Sequence, residues 1–178
     1  MKGVVFTGFL DMVEEKYGYE MVDTIIRENE LSSNGAYTTV GTYSHGEMIK
    51  LLTSLSDHTK KDVPSLLKIF GYYFFDILKN GYPQFLDATA NAFDFLESIE
   101  TYIHVEVRKL YPDAELPTFK TQKISRDQLE MVYHSERKMA DFAEALIEKS
   151  MEYYGEKGIV KRKVIEEDGS VVQFVISK

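Results

Sequence analysis

The 178-residue sequence contains no cysteine and no tryptophan. Without cysteine there is no disulfide framework, no thiolate metal site and no cysteine nucleophile, which suits a cytoplasmic protein. Basic charge is scarce as well: 21 Lys and Arg stand against 29 Asp and Glu, a formal net charge of −8. Nucleic acid and anionic membrane surfaces both require a basic face, so neither is expected as a partner. Long hydrophobic runs are missing too. The most apolar stretch, Ile69 to Leu78, is far too short to cross a bilayer and carries Asp76. Met1-Lys2-Gly3 leads into a segment broken by Asp11, Glu14 and Glu15, unlike a signal peptide. No repeat, low-complexity tract or linker divides the chain, which at this length fits one domain, residues 1–178, with a sizeable core.

The usual catalytic signatures are absent. There is no Walker loop, no GxGxxG and no GxSxG. The four histidines, His45, His58, His104 and His134, show neither HxxxH nor HxH spacing and have no carboxylate cluster nearby for a zinc or two-metal site. The acidic run from Glu166 to Asp168 reads as the solvated end of a hairpin. Hydrolase, kinase and dehydrogenase chemistry all lack their parts, so the chain is not expected to be an enzyme.

Aromatic residues, by contrast, are plentiful: 12 Tyr and 11 Phe make up 13% of the chain. Such side chains commonly fill a core, and they also suit a pocket for a large planar ligand. Apolar residues recur at helical spacing from Phe6 to Tyr17, which Gly18 ends, and again from Met21 to Ile26, before the polar loop Ser32-Ser33-Asn34-Gly35. A third helix is predicted from an N-cap at Ser44 to Leu55, and a fourth from Pro64 to about Lys79. Gly71 inside the fourth marks either a hinge or a close approach by another group, because a mid-helix glycine costs about 1 kcal/mol against alanine. After Gly81-Tyr82-Pro83 come a short helix and a single longer one from Asn91 to Tyr111, closed off by Pro112 and Pro117. The period then changes. Strands are predicted at Thr118–Gln122 and Gln128–Glu136, a helix at Lys138–Tyr154, and two strands flanking a two-residue turn at Asp168-Gly169. The expected class is α+β: a helical N-terminal subdomain packed on a C-terminal subdomain with a four-stranded antiparallel sheet and helices.

Two features carry chemistry. In the predicted 91–111 helix, Ala92, Phe95, Leu96, Ile99, Tyr102, Ile103, Val107 and Leu110 share one face, with His104 at its border. From there an imidazole on a rigid helix reaches an apolar cavity, although on geometry alone a satisfied core histidine is the commoner reading. The second feature is Tyr133-His134-Ser135-Glu136-Arg137. At strand spacing Tyr133, Ser135 and Arg137 face one way and present two hydroxyls and a guanidinium, a donor set matched to carboxylates. As a bare pattern, YxSxR also fits a mixed polar surface strand. A histidine ligand, a carboxylate clamp and abundant aromatics together are what a haem with its propionates needs.

With those residues in view, the chain resembles the haem nitric oxide/oxygen-binding (H-NOX) domains, the family that includes the sensor domain of soluble guanylate cyclase. The resemblance lies in Met1-Lys2-Gly3, Ile103-His104-Val105, Pro117 downstream of it and Tyr133-x-Ser135-x-Arg137, and it spans essentially the whole chain. It implies haem b (iron protoporphyrin IX) held between a distal helical subdomain, about 1–60, and a proximal subdomain, about 61–178. His104 would be the proximal iron ligand, Tyr133, Ser135 and Arg137 would hold the propionates, and Pro117 would press on the porphyrin from the proximal side. Val5 falls at a first-helix position that contacts the distal face in the family.

The resemblance also bears on the gas. Oxygen-binding relatives place a tyrosine donor where this chain has Phe142, and supporting polar residues where it has Phe9 and Phe74. All three differences remove donors, which favours nitric oxide (and carbon monoxide) over oxygen. The implied function is a haem-based nitric oxide sensor in which the bond from His104 to iron breaks and the shape change regulates a separate signalling protein. In bacterial relatives such partners are histidine kinases or cyclic-di-GMP enzymes. An oxygen sensor or carrier, an enzyme acting on nitric oxide and a helical interaction protein without cofactor stay open as alternatives.

Overall fold

A computed structural model describes all of residues 1–178. The first half is helical: α1 (Gly3–Tyr17), α2 (Tyr19–Arg27), α3 (His45–Thr59), α4 (Val63–Gly81), α5 (Pro83–Asp87) and α6 (Ala92–Ser98). A π-helical turn, Ile99–Ile103, leads into α7 (His104–Leu110). Then follow β1 (Thr118–Ser125), β2 (Gln128–His134), α8 (Ala140–Tyr153), β3 (Ile159–Val164) and β4 (Val171–Ser177). The strands form one antiparallel sheet in the order β1-β2-β4-β3, so the class is α+β as expected.

Local chemistry sets the boundaries. Ser44, Asp62 and Asn91 cap α3, α4 and α6 by accepting the backbone N–H of Gly46, Ser65 and Asp94 at 3.2, 2.7 and 3.0 Å. Pro64 sits in the first turn of α4, where its missing N–H costs no hydrogen bond. The sheet alternates: Leu129, Met131 and Tyr133 of β2 and Val172, Phe174 and Ile176 of β4 turn inward to meet α6 and α8. A second apolar cluster unites α1, α2, α3 and α4 around Phe6, Phe9, Met12, Leu51 and Phe70. The long helix α4 therefore belongs to the N-terminal cluster while it also packs along α8. No helix is long and apolar enough to cross a membrane.

Three expectations need correction, and the choice left open at Gly71 is decided. The predicted single helix over 91–111 is interrupted by the π turn, in which the His104 N–H bonds to the Ile99 carbonyl, five residues back. The extra residue shifts the phase of everything after it, so a 3.6-residue count carried across the turn misplaces faces. Tyr102, expected on the apolar face, is 44% exposed and lies off the cavity, whereas Leu110 lines it although 64% exposed. Next, β2 ends at His134, so Ser135 and Arg137 lie in a turn that closes at Lys138 (φ 55°). Third, the β3–β4 connection occupies residues 165–170 instead of two residues, with the Asp168 carboxylate accepting the Ser170 N–H at 2.9 Å. Finally, α4 runs unbroken through Gly71. A Cβ there would lie 2.6 Å from the Ala145 Cβ and 2.7 Å from the Phe142 carbonyl, so close approach of α8 accounts for the glycine.

Candidate functional site

Between the two clusters lies a cavity of about 310 Å³, within the range of small-ligand pockets. Hydrophobic side chains supply 25 of its 34 lining residues. Val5 of α1, Phe74 of α4, Phe142 of α8, His104, Pro117, Tyr133, Ser135 and Arg137 all reach it. Of the predicted site residues, Phe9 alone does not. It is fully buried one layer back, edge-on to Phe70 at 5.4 Å, and Phe70 in turn packs edge-on to Phe74 (5.5 Å) and tilted against Phe142 (4.9 Å).

The π turn leaves His104 as the buried residue of α7, at 8% exposure. Its Nδ1 lies 3.1 Å from a Glu100 carboxylate oxygen, a hydrogen bond when that nitrogen is protonated. Nε2 has no protein partner, and the ring lines the cavity. Burial, only partly opposed by Glu100, holds the His104 pKa below its ordinary 6.5, so the ring is neutral near pH 7, the form that ligates metals. The other three histidines do not line the cavity, and His58 is engaged with Glu28 at 2.7 Å. No cluster of three or more His, Asp or Glu side chains offers a competing metal site.

No sequence motif marks Glu100. Its Oε2 also accepts the Phe119 N–H at 3.2 Å, and its Oε1 accepts from Arg108 at 3.3 Å. Burial raises its pKa, but these bonds and that from His104 outweigh burial and leave the carboxyl below its ordinary value. The i,i+4 spacing to His104 was the available signal.

At the clamp, the Tyr133 hydroxyl accepts the Met139 N–H at 3.0 Å, and Ser135 Oγ accepts the Arg137 N–H at 3.2 Å. These bonds fold the turn back on itself, so the three residues converge although only Tyr133 lies in the strand. The Arg137 guanidinium, 15% exposed, holds a carboxylate oxygen of Glu115 at 3.0 Å. Glu115 itself is 82% exposed and also lines the cavity. A half-buried cation at the rim thus already takes an acid from solvent, the interaction a propionate would make.

The first residues close another edge. The Met1 amine donates to the Tyr43 carbonyl at 2.8 Å, and Lys2 reaches Asp113 at 3.4 Å while sitting 4.8 Å over the Tyr111 ring. At Gly3 a Cβ would lie 1.8 Å from the Thr38 carbonyl, so no side chain fits. A neutral histidine with a free ring nitrogen, an apolar slot and an arginine at its mouth together fit a haem. Bound there, haem would supply an iron able to take up a diatomic gas.

Comparison with known proteins agrees. The family described as Haem-NO-binding matches residues 2–162. The H-NOX protein from K. algicida, solved in the Fe(II) unliganded state, is 44% identical, with a TM-score of 0.96 over 100% of this chain and 96% of that one. H-NOX from Shewanella woodyi, solved with IWP-051 bound and in the Fe(II)CO state, is 37% identical, with a TM-score of 0.85 over 100% and 94% of the two chains. An H-NOX protein from S. oneidensis in the Fe(II)NO state shares the fold at 21% identity, with a TM-score of 0.92 over 99% and 98%. No curated protein matches the chain. The matched span, the fold and the two relatives above one-third identity place this chain in the Haem-NO-binding, or H-NOX, family of haem-based gas sensors.

Proposed function

We propose that the protein is a nitric oxide sensor with haem b in this cavity. His104 is the iron ligand, Tyr133, Ser135 and Arg137 hold the propionates, and Pro117 presses on the macrocycle from the His104 side. Val5, Phe74 and Phe142 border the gas, with Phe9 stiffening that wall through Phe70. The observation that carries the choice of gas is the pair Phe74 and Phe142, 5.5 Å apart in the cavity wall, where an oxygen-binding pocket needs a donor.

Dioxygen on ferrous iron gains negative charge, and a donor to a charged group is worth about 1.5–3 kcal/mol. An apolar wall forgoes that energy, whereas nitric oxide and carbon monoxide need little of it. His104 would tie α7 to the bound group, and loss of that tie would free α7 from the cavity. The distal subdomain, about residues 1–60, then shifts on the proximal one, about 61–178, with α4 between them, a local bond change read out as a packing change. The chain signals in the cytoplasm to a separate protein, a histidine kinase or a cyclic-di-GMP enzyme, and is not itself a catalyst.

Absorption spectra of the ferrous protein under each gas test the reading. The expected result is binding of nitric oxide, giving a five-coordinate spectrum, and of carbon monoxide, with no stable oxygen complex in air. An oxygenated spectrum that persists in air, or a nitric oxide spectrum that stays six-coordinate at equilibrium, refutes it.

A further inference from the structure

The hydrogen bonds around His104 extend beyond the ligand itself. Glu100 lies in the π turn, and its carboxylate meets His104 Nδ1 at 3.1 Å, the Phe119 N–H of β1 at 3.2 Å and Arg108 at 3.3 Å. The ring therefore has one nitrogen committed to an anion while the other faces the cavity. A carboxylate that accepts from a metal-bound imidazole fixes its orientation and makes it a stronger donor, and loss of such a partner commonly weakens metal binding about 10–100-fold. Phe119 packs 6.0 Å from the His104 ring, so the ring is held by a hydrogen bond to a carboxylate on one side and an aromatic on another. Arg108, only partly buried, competes for the same carboxylate and draws off part of its charge.

We infer that Glu100 is a positioning residue that sets the strength of the bond from His104 to iron, with Arg108 as its counterweight. Glu100 thereby sets how readily that bond yields to nitric oxide. This rests on His104 being the ligand. The consequence has a definite sign. Removing the carboxylate charge weakens the bond that must break, and removing the arginine strengthens it. A side chain that merely fills space has no reason to act in opposite directions in the two cases.

The test is resonance Raman spectroscopy of the haem-loaded ferrous protein, read at the iron–histidine stretching band, for wild type, E100Q, E100A, R108Q and H104G. The expected order of frequency is R108Q above wild type, then E100Q, then E100A. E100A should also pass from the six- to the five-coordinate nitric oxide form about 10-fold faster or more, in keeping with the weakening usual for such partners. Should E100A fail to fold, because Glu100 also holds the Phe119 N–H, E100Q and R108Q decide the matter. An unchanged band in those two, or shifts of the same sign, overturns the role of Glu100. A band that survives in H104G instead overturns the ligand assignment on which it rests, so the two failures are distinct.

Discussion

Replacing Phe142 by tyrosine places a phenolic hydroxyl in a cavity wall whose ring neighbours are Phe70 at 4.9 Å and Phe74 at 5.5 Å. None of those neighbours offers a partner, so without gas the hydroxyl goes unpaired, at a cost of about 1–3 kcal/mol. For a protein of this size that lowers the melting temperature by about 2–4 °C per kcal/mol. With oxygen bound, the same hydroxyl donates to a negatively charged atom and recovers about 1.5–3 kcal/mol. At 1.4 kcal/mol per tenfold, oxygen release slows by roughly 10–100-fold. Carbon monoxide, which carries little charge, should change far less. Stopped-flow measurement of oxygen and carbon monoxide release, with thermal melts of the ferrous protein, separates these effects. Equal slowing of both gases points to a steric effect, and no change in either shows that Phe142 does not border the gas. Both results refute the pocket assignment.

Two further perturbations probe the scaffold. Glu47, only 5% exposed, accepts from the Ser33 N–H and hydroxyl at 3.3 and 2.5 Å and from the Tyr37 hydroxyl at 2.7 Å. Burial raises its pKa, but these donors prevail and hold it below the ordinary 4.5. A depressed folded-state pKa stabilises the protein fully above the unfolded value, and that stability is lost as pH falls through the folded one. Glu47→Gln should thus cost about 1–3 kcal/mol at pH 7 and flatten the loss of thermal stability below about pH 4.5, measured by melting across pH; a variant with the wild-type pH profile contradicts the assignment. At Gly71, alanine gains about 1 kcal/mol of helix propensity but meets Ala145 and the Phe142 carbonyl, and such overpacking costs about 1–3 kcal/mol. Gly71→Ala should therefore change the melting temperature little yet displace α8 and alter carbon monoxide release; unchanged release kinetics would show that α8 is not coupled to the pocket.

What could be read before folding was what depends on local order. The helix cap at Ser44, the first turn of α4 at Pro64, the closing of α1 at Gly18 and the alternation along β2 follow from neighbours a few residues away. His104 and Tyr133-x-Ser135-x-Arg137 stood out because their residue types suit a haem and their order matches a family. Periodicity became less exact at Ile99, where one inserted residue turned the helix and left Tyr102 at the surface.

The chain by itself determined the composition of the pocket: an apolar lining without cysteine, one histidine on a helix and a guanidinium two residues after a serine. Those follow from side-chain chemistry and short-range order, which survive without three-dimensional context. Tertiary structure alone decided which aromatics border the cavity, since Phe9 and Phe142 look alike in sequence but lie in different layers. It also decided the partners of His104 and Arg137. Glu100 reaches His104 through a π turn and is held there by the Phe119 N–H of β1, and Glu115 reaches Arg137 from a loop, contacts fixed only when distant segments pack together.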